Sequence, residues 1–375
     1  MELGVIGYGS RIRNMIRKLQ ELHPDCKVTT IVDIRNEFIR ENYSELEHVR
    51  FYETVEDMLE RERPDGLLIG TRCSLHTTMA LKVLSTGIPL FLEKPVATTM
   101  EDALRLKSGW EQAKSDVVVS FPMRMSRLAL LAKEIVDSGK LGTIEHVQAT
   151  NNTPYGGVYF HNWYRDEKET GGLFLQKATH DFDYINFIVD QEPVSVCAMT
   201  SKQVFKGNKP AGLKCADCEE KYTCEESTIH LTGPKKDTWL YCCFAEDTGN
   251  EDSGSAIVRY ASGMHMNYSQ NFIVRRQAGT RGARFVGYKG TLELNFFTSQ
   301  VKVYMHHTPR VETYDVETGS DHFGGDTELL NNFYNIMKGQ ARSISTLDHG
   351  LLSALMCLKA KQSAETGTFQ AIAWE

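Results

Sequence analysis

The chain has 375 residues, which is long for a single hydrophobic core, so we expect two domains. The 41% hydrophobic and 24% charged residues are typical of a globular protein, and the formal charge of -7 argues against a nucleic-acid partner or an anionic membrane surface. No apolar run reaches the roughly 18 residues of a transmembrane helix. We expect no signal peptide, and the nine scattered cysteines favour free thiols in a cytoplasmic protein.

Short β-branched runs alternate with amphipathic stretches along the first 120 residues. In chain order the predicted strands are ELGVIG, KVTTIVD, VRFYET, DGLLIGT, PLFLEKP and DVVVSFP. The predicted helices between them are RIRNMIRKLQELH, RNEFIRENYSEL, TVEDMLERE, SLHTTMALKVLSTG and MEDALRLKSGWEQAKS. This alternation predicts an α/β domain with a doubly wound parallel sheet, which we place at residues 1–122.

Residues 123–375 predict a second α/β domain with a large open, mostly antiparallel sheet. The predicted helices are SRLALLAKEIVDSGKLG, LFLQKATHDFDYINFIVD, DTELLNNFYNIMKG and DHGLLSALMCLKAKQSAETG, and the last two can pack back on the first domain. The predicted strands are TIEHVQATNN, DTWLYCCFAED, SAIVRYASGMHMNYSQNFIV, RGARFVGYKGTLELNFF and QVKVYMHH. An open sheet face predicts a homo-oligomer of two or more chains.

A glycine turn joins the first predicted strand to the first helix. Gly7 permits a tight turn, and Gly9 allows a pyrophosphate to approach the backbone at the helix N-terminus. The third small residue of such a turn is replaced by Ile12, so close packing of helix and strand must be arranged differently. By itself the pattern is equally typical of an ordinary turn.

A carboxylate completes the nucleotide pattern. Asp33 ends the second strand, where it can accept hydrogen bonds from the adenosine ribose and would repel a 2′-phosphate. We therefore predict NAD as the cofactor, while Arg35 close by keeps NADP open. Ser10 and Arg11 at the start of the helix complete this part of the predicted cofactor site.

An ordered set of motifs runs along almost the whole chain. It comprises Gly7-x-Gly9, Thr71 with His76, Glu93-Lys94-Pro95, FPMR, SGKLG, WYRDEKETGG, HDFD, GYKGTLEL and HFGGD. This set resembles the Gfo/Idh/MocA oxidoreductase family, which includes glucose-fructose oxidoreductase and inositol dehydrogenase. The resemblance implies an N-terminal Rossmann domain followed by an α/β domain that often mediates oligomers. It adds Thr71, His76, Glu93 and Lys94 to the expected cofactor-binding residues.

Lys94 follows the fifth predicted strand, at the carboxyl edge of the sheet where cofactors bind. Its ammonium group can hydrogen-bond a substrate oxygen and stabilise the charge that grows as the hydroxyl loses hydride. The ordinary alternative is a lysine that extends from a strand end into solvent. In the context of the resemblance we predict a catalytic lysine.

The segment QKATHDFDYINF resembles the catalytic helix of the family. His180 matches the histidine expected to act as a general base, since imidazole titrates near neutral pH. The aspartate expected four residues earlier is replaced by Gln176, next to Lys177. Lys177, His180 and Asp183 are spaced three apart and share one helix face. We therefore predict that Lys177 binds or polarises the reacting oxygen and that Asp183 orients His180 or contacts substrate.

Further polar and aromatic residues are expected to face the same cleft. Such side chains suit a carbohydrate, whose ring stacks and whose hydroxyls need hydrogen-bonding partners, although each is equally compatible with loop packing. The predicted substrate-binding residues, besides Asp183, are Arg124, His161, Asn162, Trp163, Arg165 and His322.

A cysteine-containing insert, LKCADCEEKYTCEES, carries Cys215, Cys218 and Cys224. Three thiolates at this spacing can ligate a structural zinc ion, with His230, Cys242 or Cys243 as the fourth ligand. A second C-x-x-C pair is absent, so free thiols are the simpler interpretation. A catalytic metal is not expected, because nicotinamide accepts hydride without one.

Together these features predict an NAD-dependent dehydrogenase that oxidises a secondary hydroxyl of a sugar, glycoside or cyclitol. We expect Lys94 of the first domain and His180 of the second to converge beside one nicotinamide ring. One alternative is an enzyme that cleaves a glycoside through transient oxidation and elimination, which the change at Gln176 favours. Another is a non-catalytic NAD sensor, against which Lys94 and His180 argue.

Overall fold

The computed structural model describes residues 1–113, 115–319 and 322–374. The chain divides into two compact units, which are considered separately below. The first unit comprises residues 1–129 and 318–355, and the second comprises residues 130–317 and 356–373. The domain boundary placed at residue 122 on the sequence stays a prediction. No helix in the described part of the chain is long and apolar enough to cross a membrane.

Six strands and six helices occupy the chain up to residue 137. They are β1 (Glu2–Ile6), α1 (Ser10–Leu22), β2 (Lys27–Val32), α2 (Asn36–Asn42), β3 (Arg50–Tyr52), α3 (Val55–Arg61), β4 (Gly66–Ile69), α4 (His76–Leu84), β5 (Leu90–Leu92), α5 (Met100–Glu111), β6 (Val117–Val119) and α6 (Arg127–Asp137). Each predicted strand and helix of this region is present. The predicted fifth helix extends past the end of α5 across Lys114, which lies outside the described residues.

The remaining elements follow in chain order. They are β7 (Ile144–Asn152), α7 (Val158–His161), α8 (Glu167–Thr170), α9 (Thr179–Val189), β8 (Pro193–Ser201), β9 (Ser253–Tyr260), β10 (His265–Asn271), β11 (Thr280–Gly287), β12 (Gly290–Asn295), β13 (Gln300–Met305), β14 (Val311–Asp315), α10 (Gly325–Met337), α11 (Leu347–Thr366) and β15 (Gln370–Ala371). A π-helical turn, Phe174–Ala178, precedes α9.

The first unit is built on a six-stranded parallel sheet in the order β3-β2-β1-β4-β5-β6. The order reverses direction between β1 and β4, which creates a crevice at the carboxyl ends of the strands. Strands β4, β5 and β6 are continuous buried apolar runs, as expected where both faces of a parallel sheet are covered, whereas β2 contains two threonines and the edge strand β3 is partly exposed. The predicted Rossmann-type sheet is therefore confirmed.

The third small residue of the glycine turn is missing on α1, and the packing of α1 against the sheet shows how the structure compensates for it. Ile12 on α1 is fully buried and lies against Gly70, which follows β4. A Cβ atom added at Gly70 would lie 1.9 Å from Cγ1 of Ile12, so only glycine leaves room for this side chain. Gly70, directly after β4, therefore takes the place of the small residue expected on α1, and the helix still packs closely against the sheet.

Helix α10 belongs to the core of the first unit although it lies more than 200 residues beyond β6 in the sequence. Its buried side chains Leu329, Leu330, Phe333 and Ile336 join the apolar cluster that surrounds α1. Gly66 at the start of β4 lets Phe333 and Met337 approach, since an added Cβ would lie 2.4 Å from the Met337 sulfur.

The second unit is built on a nine-stranded sheet in the order β14-β13-β12-β11-β7-β10-β9-β8-β15. The neighbours β7 and β10 are parallel, and the other pairs are antiparallel, which confirms the predicted mostly antiparallel sheet. The predicted hairpins β9–β10 and β11–β12 are present. The strands β8, β14 and β15 were not predicted.

One predicted strand, DTWLYCCFAED, is wrong. Residues 237–247 are irregular and form two isolated bridges, Lys214–Tyr241 and Lys209–Ala245. The apolar residues of this segment do not join the sheet, and Cys243 is buried in a separate cluster with Phe160, Phe205 and Phe272. A run of apolar residues does not distinguish these two ways of burial.

A buried ion pair attaches α9 to the sheet. Asp181 on α9 is 1% exposed, and its Oδ1 accepts a hydrogen bond of 2.8 Å from Nε of Arg281 on β11. Its Oδ2 accepts hydrogen bonds from Nδ2 of Asn151 at 2.7 Å and from the Tyr268 hydroxyl at 2.8 Å. Burial and the Asp181 charge raise the pKa of Tyr268, which keeps the hydroxyl a donor. Three strands therefore hold this helix through one carboxylate.

We predict that Gly70→Ala destabilises the first unit by about 1–3 kcal/mol, because the new methyl group overlaps Ile12. Chemical denaturation of the purified protein measures this loss. Gly319→Ala is the matched control, since its Cβ would have no neighbour closer than 3.9 Å. In the background of Ile12→Ala the same glycine substitution should cost much less, and equal costs in both backgrounds would contradict the proposed contact.

We predict that Arg281→Met lowers the free energy of unfolding by about 3–5 kcal/mol, because Asp181 is left as a buried charge without its cationic partner. Arg284→Met on the same strand is the control, since Arg284 is exposed and lies 3.7 Å from Glu293 at the surface. Comparable losses in the two variants, measured by urea unfolding, would contradict the role given to Arg281.

Candidate functional site

The glycine turn between β1 and α1 has the geometry of a phosphate site. Gly7 has a positive φ of 83°, and a Cβ there would lie 2.7 Å from the Thr71 backbone nitrogen. Gly9 is the N-cap of α1 and, as a glycine, has no side chain that could cap the first turn. The exposed Ser10 begins the helix. The backbone N–H groups of this turn therefore suit the pyrophosphate of a dinucleotide.

Asp33 lies at the carboxyl end of β2, beside the turn. Its Oδ2 accepts a hydrogen bond of 2.7 Å from the Tyr8 backbone nitrogen. Its Oδ1 accepts from the Arg35 backbone nitrogen at 2.9 Å and lies 3.3 Å from Arg35 Nε. The carboxylate is thus held in place by protein groups, and its contact with an adenosine ribose stays a prediction.

Arg11 connects three parts of the first unit. Its Nε donates to Oε1 of Glu93 at 3.1 Å, and its two terminal nitrogens lie 3.0 and 2.6 Å from the carboxylate of Asp326 on α10. Nη2 is also 3.3 Å from the Ser120 hydroxyl after β6. Arg11 and Glu93 therefore have structural partners, and a direct contact of either with the cofactor stays a prediction.

His322, predicted as a substrate ligand, lies in a short turn directly before α10 and donates from Nδ1 to Oδ2 of Asp326 at 2.8 Å. Burial alone would raise the pKa of Asp326, but the hydrogen bonds from His322 and Arg11 outweigh it and hold that pKa well below its usual range. The carboxylate is therefore a fixed negative charge held between the Arg11 guanidinium and the His322 ring.

The segment that carries Lys94 is fixed by a buried histidine. Nδ1 of His76 lies 2.8 Å from the Pro95 carbonyl oxygen, and Nε2 lies 3.3 Å from the Thr71 carbonyl oxygen. Burial lowers the pKa of His76, so the ring is neutral. The Lys94–Pro95 peptide bond is cis. His76 thus positions the half-buried Lys94 relative to the loop that carries Thr71.

Arg124, also predicted to bind substrate, is buried in the first unit. Its Nη1 lies 2.7 Å from Nδ1 of His349 and 3.3 Å from the Ile344 carbonyl oxygen. Burial together with the Arg124 charge lowers the pKa of His349 to about 4, so the imidazole accepts a hydrogen bond from Arg124. These contacts connect Arg124 to the start of α11, and its contact with substrate stays a prediction.

Lys177 forms a close pair with a tyrosine that the sequence analysis did not identify. It lies in the π-helical turn before α9, and its Nζ is 2.5 Å from the Tyr155 hydroxyl. Nζ also lies 4.5 Å from the centre of the Tyr155 ring and 5.6 Å from that of Tyr159. The charge of Lys177 is the main factor that lowers the pKa of Tyr155, although burial opposes it. The ring of Tyr155 remains 48% exposed.

Gln176, which replaces the expected aspartate, has a structural contact. Its Nε2 donates a hydrogen bond of 3.0 Å to the Thr170 carbonyl oxygen. His180 and Asp183 are both buried on α9. Asp181, between them in the sequence, carries the ion pair to Arg281, so the orientation of α9 depends on a neighbour of the predicted base.

The loop before α8 places the other predicted substrate ligands. The Asn162 side chain accepts a hydrogen bond of 2.6 Å from the Trp163 backbone nitrogen, and the Trp163 and Tyr164 rings stack with centres 3.9 Å apart. Arg165 is buried, with Nη2 at 2.5 Å from Asp247 and 2.9 Å from the Thr248 hydroxyl. No described contact tests whether any of them binds substrate.

The cysteine insert differs from the expected arrangement. Among the described residues, Cys215, Cys218 and Cys224 do not form a group whose sulfur atoms all lie within 4.8 Å of one another, and the possible zinc site at these three cysteines stays a prediction. The group that meets this condition consists of His161, Glu226 and Cys243. His161 is therefore surrounded by thiols and a carboxylate, an environment that the prediction of a sugar ligand did not anticipate.

A cavity of about 880 Å³ lies along α1 and β2 in the first unit. Tyr8, Arg13 and Tyr43 line it, whereas Gly7, Gly9 and Asp33 do not. The glycine turn therefore borders this cavity through Tyr8 alone.

The residues that sequence reasoning missed are Tyr155, Asp181, Glu226 and Arg281. Asp181 and Arg281 are charged residues at positions that the pattern of α9 and β11 places on buried faces, and this is a signal for an ion pair. The sequence offers no comparable signal for Tyr155 or Glu226, because both lie in irregular segments.

Two family models match the chain. One is described as "Oxidoreductase family, NAD-binding Rossmann fold" and matches residues 1–121. The other is described as "GFO/IDH/MocA C-terminal domain" and matches residues 129–293.

Individual relatives agree with these matches. YteT of Bacillus subtilis, a protein named as an oxidoreductase, is 26% identical over 88% of this chain and 87% of its own length. The myo-inositol 2-dehydrogenase of Thermotoga maritima is 26% identical over 53% of this chain and 58% of its own length. The aligned region thus covers little more than half the length of that relative.

A solved structure supports the fold. The myo-inositol 2-dehydrogenase of Lactobacillus plantarum superposes with a TM-score of 0.72 at 18% identity, covering 100% of this chain and 99% of that one. The glycine turn, the strand order and both family matches agree, and the chain belongs to the Gfo/Idh/MocA family of oxidoreductases with an NAD-binding Rossmann domain.

Proposed function

We propose that the protein is an NAD-dependent dehydrogenase that oxidises a secondary hydroxyl of a sugar, glycoside or cyclitol to a ketone. The observation that supports this most is the Lys177–Tyr155 pair one helical turn from His180, which gathers groups able to move a proton in the second unit. Sugar and cyclitol dehydrogenases among the relatives support the substrate class.

The residues of the glycine turn fit the cofactor. Gly7 could not carry a Cβ without meeting Thr71, and the start of α1 offers its N–H groups to phosphate oxygens. NAD, when bound, accepts a hydride from the carbinol carbon. Asp33 would hold the ribose hydroxyls, and its charge would disfavour the 2′-phosphate of NADP.

In this proposal the protein handles the proton and the oxygen. His180 takes the hydroxyl proton, and the ammonium of Lys94 donates a hydrogen bond to the same oxygen as it becomes a carbonyl. Lys177 holds the Tyr155 hydroxyl and favours its ionised form, so this pair can accept the proton from His180 and pass it to solvent. Asp181 and Arg281 fix α9 and so position His180.

The same pair also favours a second candidate function, cleavage of a glycoside by transient oxidation and elimination. Elimination needs one group to remove the proton beside the new ketone and another to protonate the departing aglycone oxygen. Tyr155 with Lys177 supplies an acid–base group in addition to His180. Water then adds to the unsaturated ketone, and the hydride returns to the ketone carbon, so no NADH accumulates.

We predict that the purified enzyme reduces NAD with at least one member of a panel of sugars, glycosides and inositols, measured by NADH absorbance. Lys94→Ala should lower kcat by about 10²–10⁴-fold, the usual effect of removing a positioned acid–base group. The control is Lys82→Ala, whose side chain forms a surface ion pair with Glu56. Release of the aglycone without NADH would favour cleavage, and unchanged turnover of Lys94→Ala would exclude the role of Lys94.

We predict that Asp33→Ser raises the ratio of kcat/KM for NADP to kcat/KM for NAD by about tenfold or more, equivalent to about 1.4 kcal/mol. The substitution removes the negative charge and frees Arg35 for the 2′-phosphate. Glu37→Gln on α2 removes a nearby charge without touching the turn and serves as the control. An unchanged ratio in Asp33→Ser would contradict the assignment of Asp33.

We predict a dependence of kcat/KM for oxidation on the ionisation of Tyr155. The rate should rise with pH as the phenol ionises, and this limb should lie below the ordinary tyrosine value of about 10, since Lys177 lowers the pKa. Tyr155→Phe should remove the limb, and Lys177→Met should move it to higher pH. A profile that is the same in wild type and Tyr155→Phe would show that this hydroxyl takes no part.

A further inference from the structure

The segment between β8 and β9 is held together without regular structure. It runs from residue 202 to residue 252 and contains, as helix, only the short turns Cys215–Asp217 and Gly233–Lys235 within the part that the structure describes. Connections longer than about 15 residues without secondary structure are uncommon in compact domains, and those that are ordered need a specific constraint. The contacts of this segment converge on the buried end of α7.

His161, the last residue of α7, is the centre of these contacts. Its side chain is 1% exposed, and its carbonyl oxygen accepts hydrogen bonds from the backbone nitrogens of Leu240 and Tyr241 at 2.8 and 3.0 Å. Nδ1 of the ring lies 2.7 Å from the Tyr241 carbonyl oxygen, which fixes it as the protonated nitrogen. Nε2 is thereby left with its lone pair directed away from that carbonyl, as in most histidine ligands of metals.

The groups around Nε2 are the usual ligands of zinc. The ligand atoms of His161, Glu226 and Cys243 lie within 4.8 Å of one another, and Oε2 of Glu226 is 3.8 Å from Nε2. The Cys215 thiol is within hydrogen-bonding reach of His161 as well, and its backbone nitrogen donates to Leu240 at 2.8 Å. One imidazole, one thiol and one carboxylate therefore form a close group. A second thiol lies beside it, since the Cys215 sulfur is 3.6 Å from the Tyr241 carbonyl oxygen to which His161 Nδ1 donates.

We propose that His161, Cys215, Glu226 and Cys243 bind a structural zinc ion that fastens the irregular segment to α7. Two sulfur, one nitrogen and one oxygen ligand match the tetrahedral preference of zinc. A ligand separation of up to 4.8 Å closes to that of a tetrahedral site with small side-chain movements, because metal–ligand bonds are about 2.0–2.3 Å.

The charges of the cluster suit a cation. A bound zinc ion would carry a positive charge beside the Glu226 carboxylate, accept the lone pair of His161 Nε2 and allow both sulfur atoms to bind as thiolates.

A second layer of contacts holds the ligands. Arg275 donates to both oxygens of Glu226 at 2.9 Å, which orients the carboxylate and leaves it available for one metal bond. The Trp239 ring lies parallel to the His161 ring, with centres 6.1 Å apart and an interplanar angle of 12°. Such outer contacts orient metal ligands and raise affinity.

The test is the metal content of the full-length protein, purified under reducing conditions and measured by elemental mass spectrometry. We expect roughly one zinc ion per chain. Cys215→Ser and Cys243→Ser should each lose most of it. Cys197→Ser is the matched control, because this half-buried cysteine lies on β8 outside the cluster and should retain full occupancy. Zinc that stays bound in both cluster variants would overturn the proposal.

Because the cluster variants can fail to fold, two measurements use chains with all four ligands intact. Cobalt(II) exchanged into the wild type should give thiolate charge-transfer absorption and the intense visible bands of a tetrahedral site. Arg275→Met should weaken zinc binding by about 10–100-fold while all ligands remain. A wild-type protein without zinc whose Tm does not rise on zinc addition, or a Cys215–Cys243 disulfide found in peptide mapping, would overturn the proposal.

Discussion

The second unit depends on one buried carboxylate. Asp181 receives hydrogen bonds from strands β7, β10 and β11, and it thereby fixes the helix on which His180 and Asp183 lie. A charge in this position is costly to desolvate, so it persists only where its partners satisfy every lone pair. A π-helical turn precedes this helix and carries Lys177, which contacts Tyr155. The interaction that holds the helix takes no part in the proposed chemistry, although it positions the groups proposed to carry it out.

In the first unit, too, the side chains that hold the structure in place differ from those that are proposed to take part in catalysis. Arg11, Glu93 and Asp326 form a chain of charges across the carboxyl ends of the strands, and His76 fixes the segment that carries Lys94. These side chains lie where a cofactor-binding motif predicts ligands, yet their described partners are other protein groups. A motif therefore indicates which residues belong to a site more directly than it indicates which of them touch the ligand.

The parallel sheet and the order of its elements along the chain could be predicted because most of its strands are apolar runs bounded by turns and alternate with helices. The same reasoning was wrong for DTWLYCCFAED, since its apolar residues are buried in a local cluster rather than in a sheet. Gly7, Gly9 and Asp33 were recognisable by spacing within the chain. Glu226 and Tyr155 were not, because their roles come from contacts between segments that are distant in sequence and have no periodic pattern. The cysteine spacing indicated the insert, whereas the grouped side chains His161, Glu226 and Cys243 come from parts of the chain that no spacing pattern connects.

The exchange of a small residue between α1 and β4 has a consequence for how such turns are recognised in other chains. The turn requires that the backbone of α1 approaches the end of β4 closely, and a small residue on either of these two elements can leave the space for this approach. A bulky side chain on the helix is acceptable wherever the facing strand ends in glycine, as Ile12 is opposite Gly70. The two positions should therefore change together in evolution, and a search that reads the helix alone will discard genuine nucleotide-binding domains.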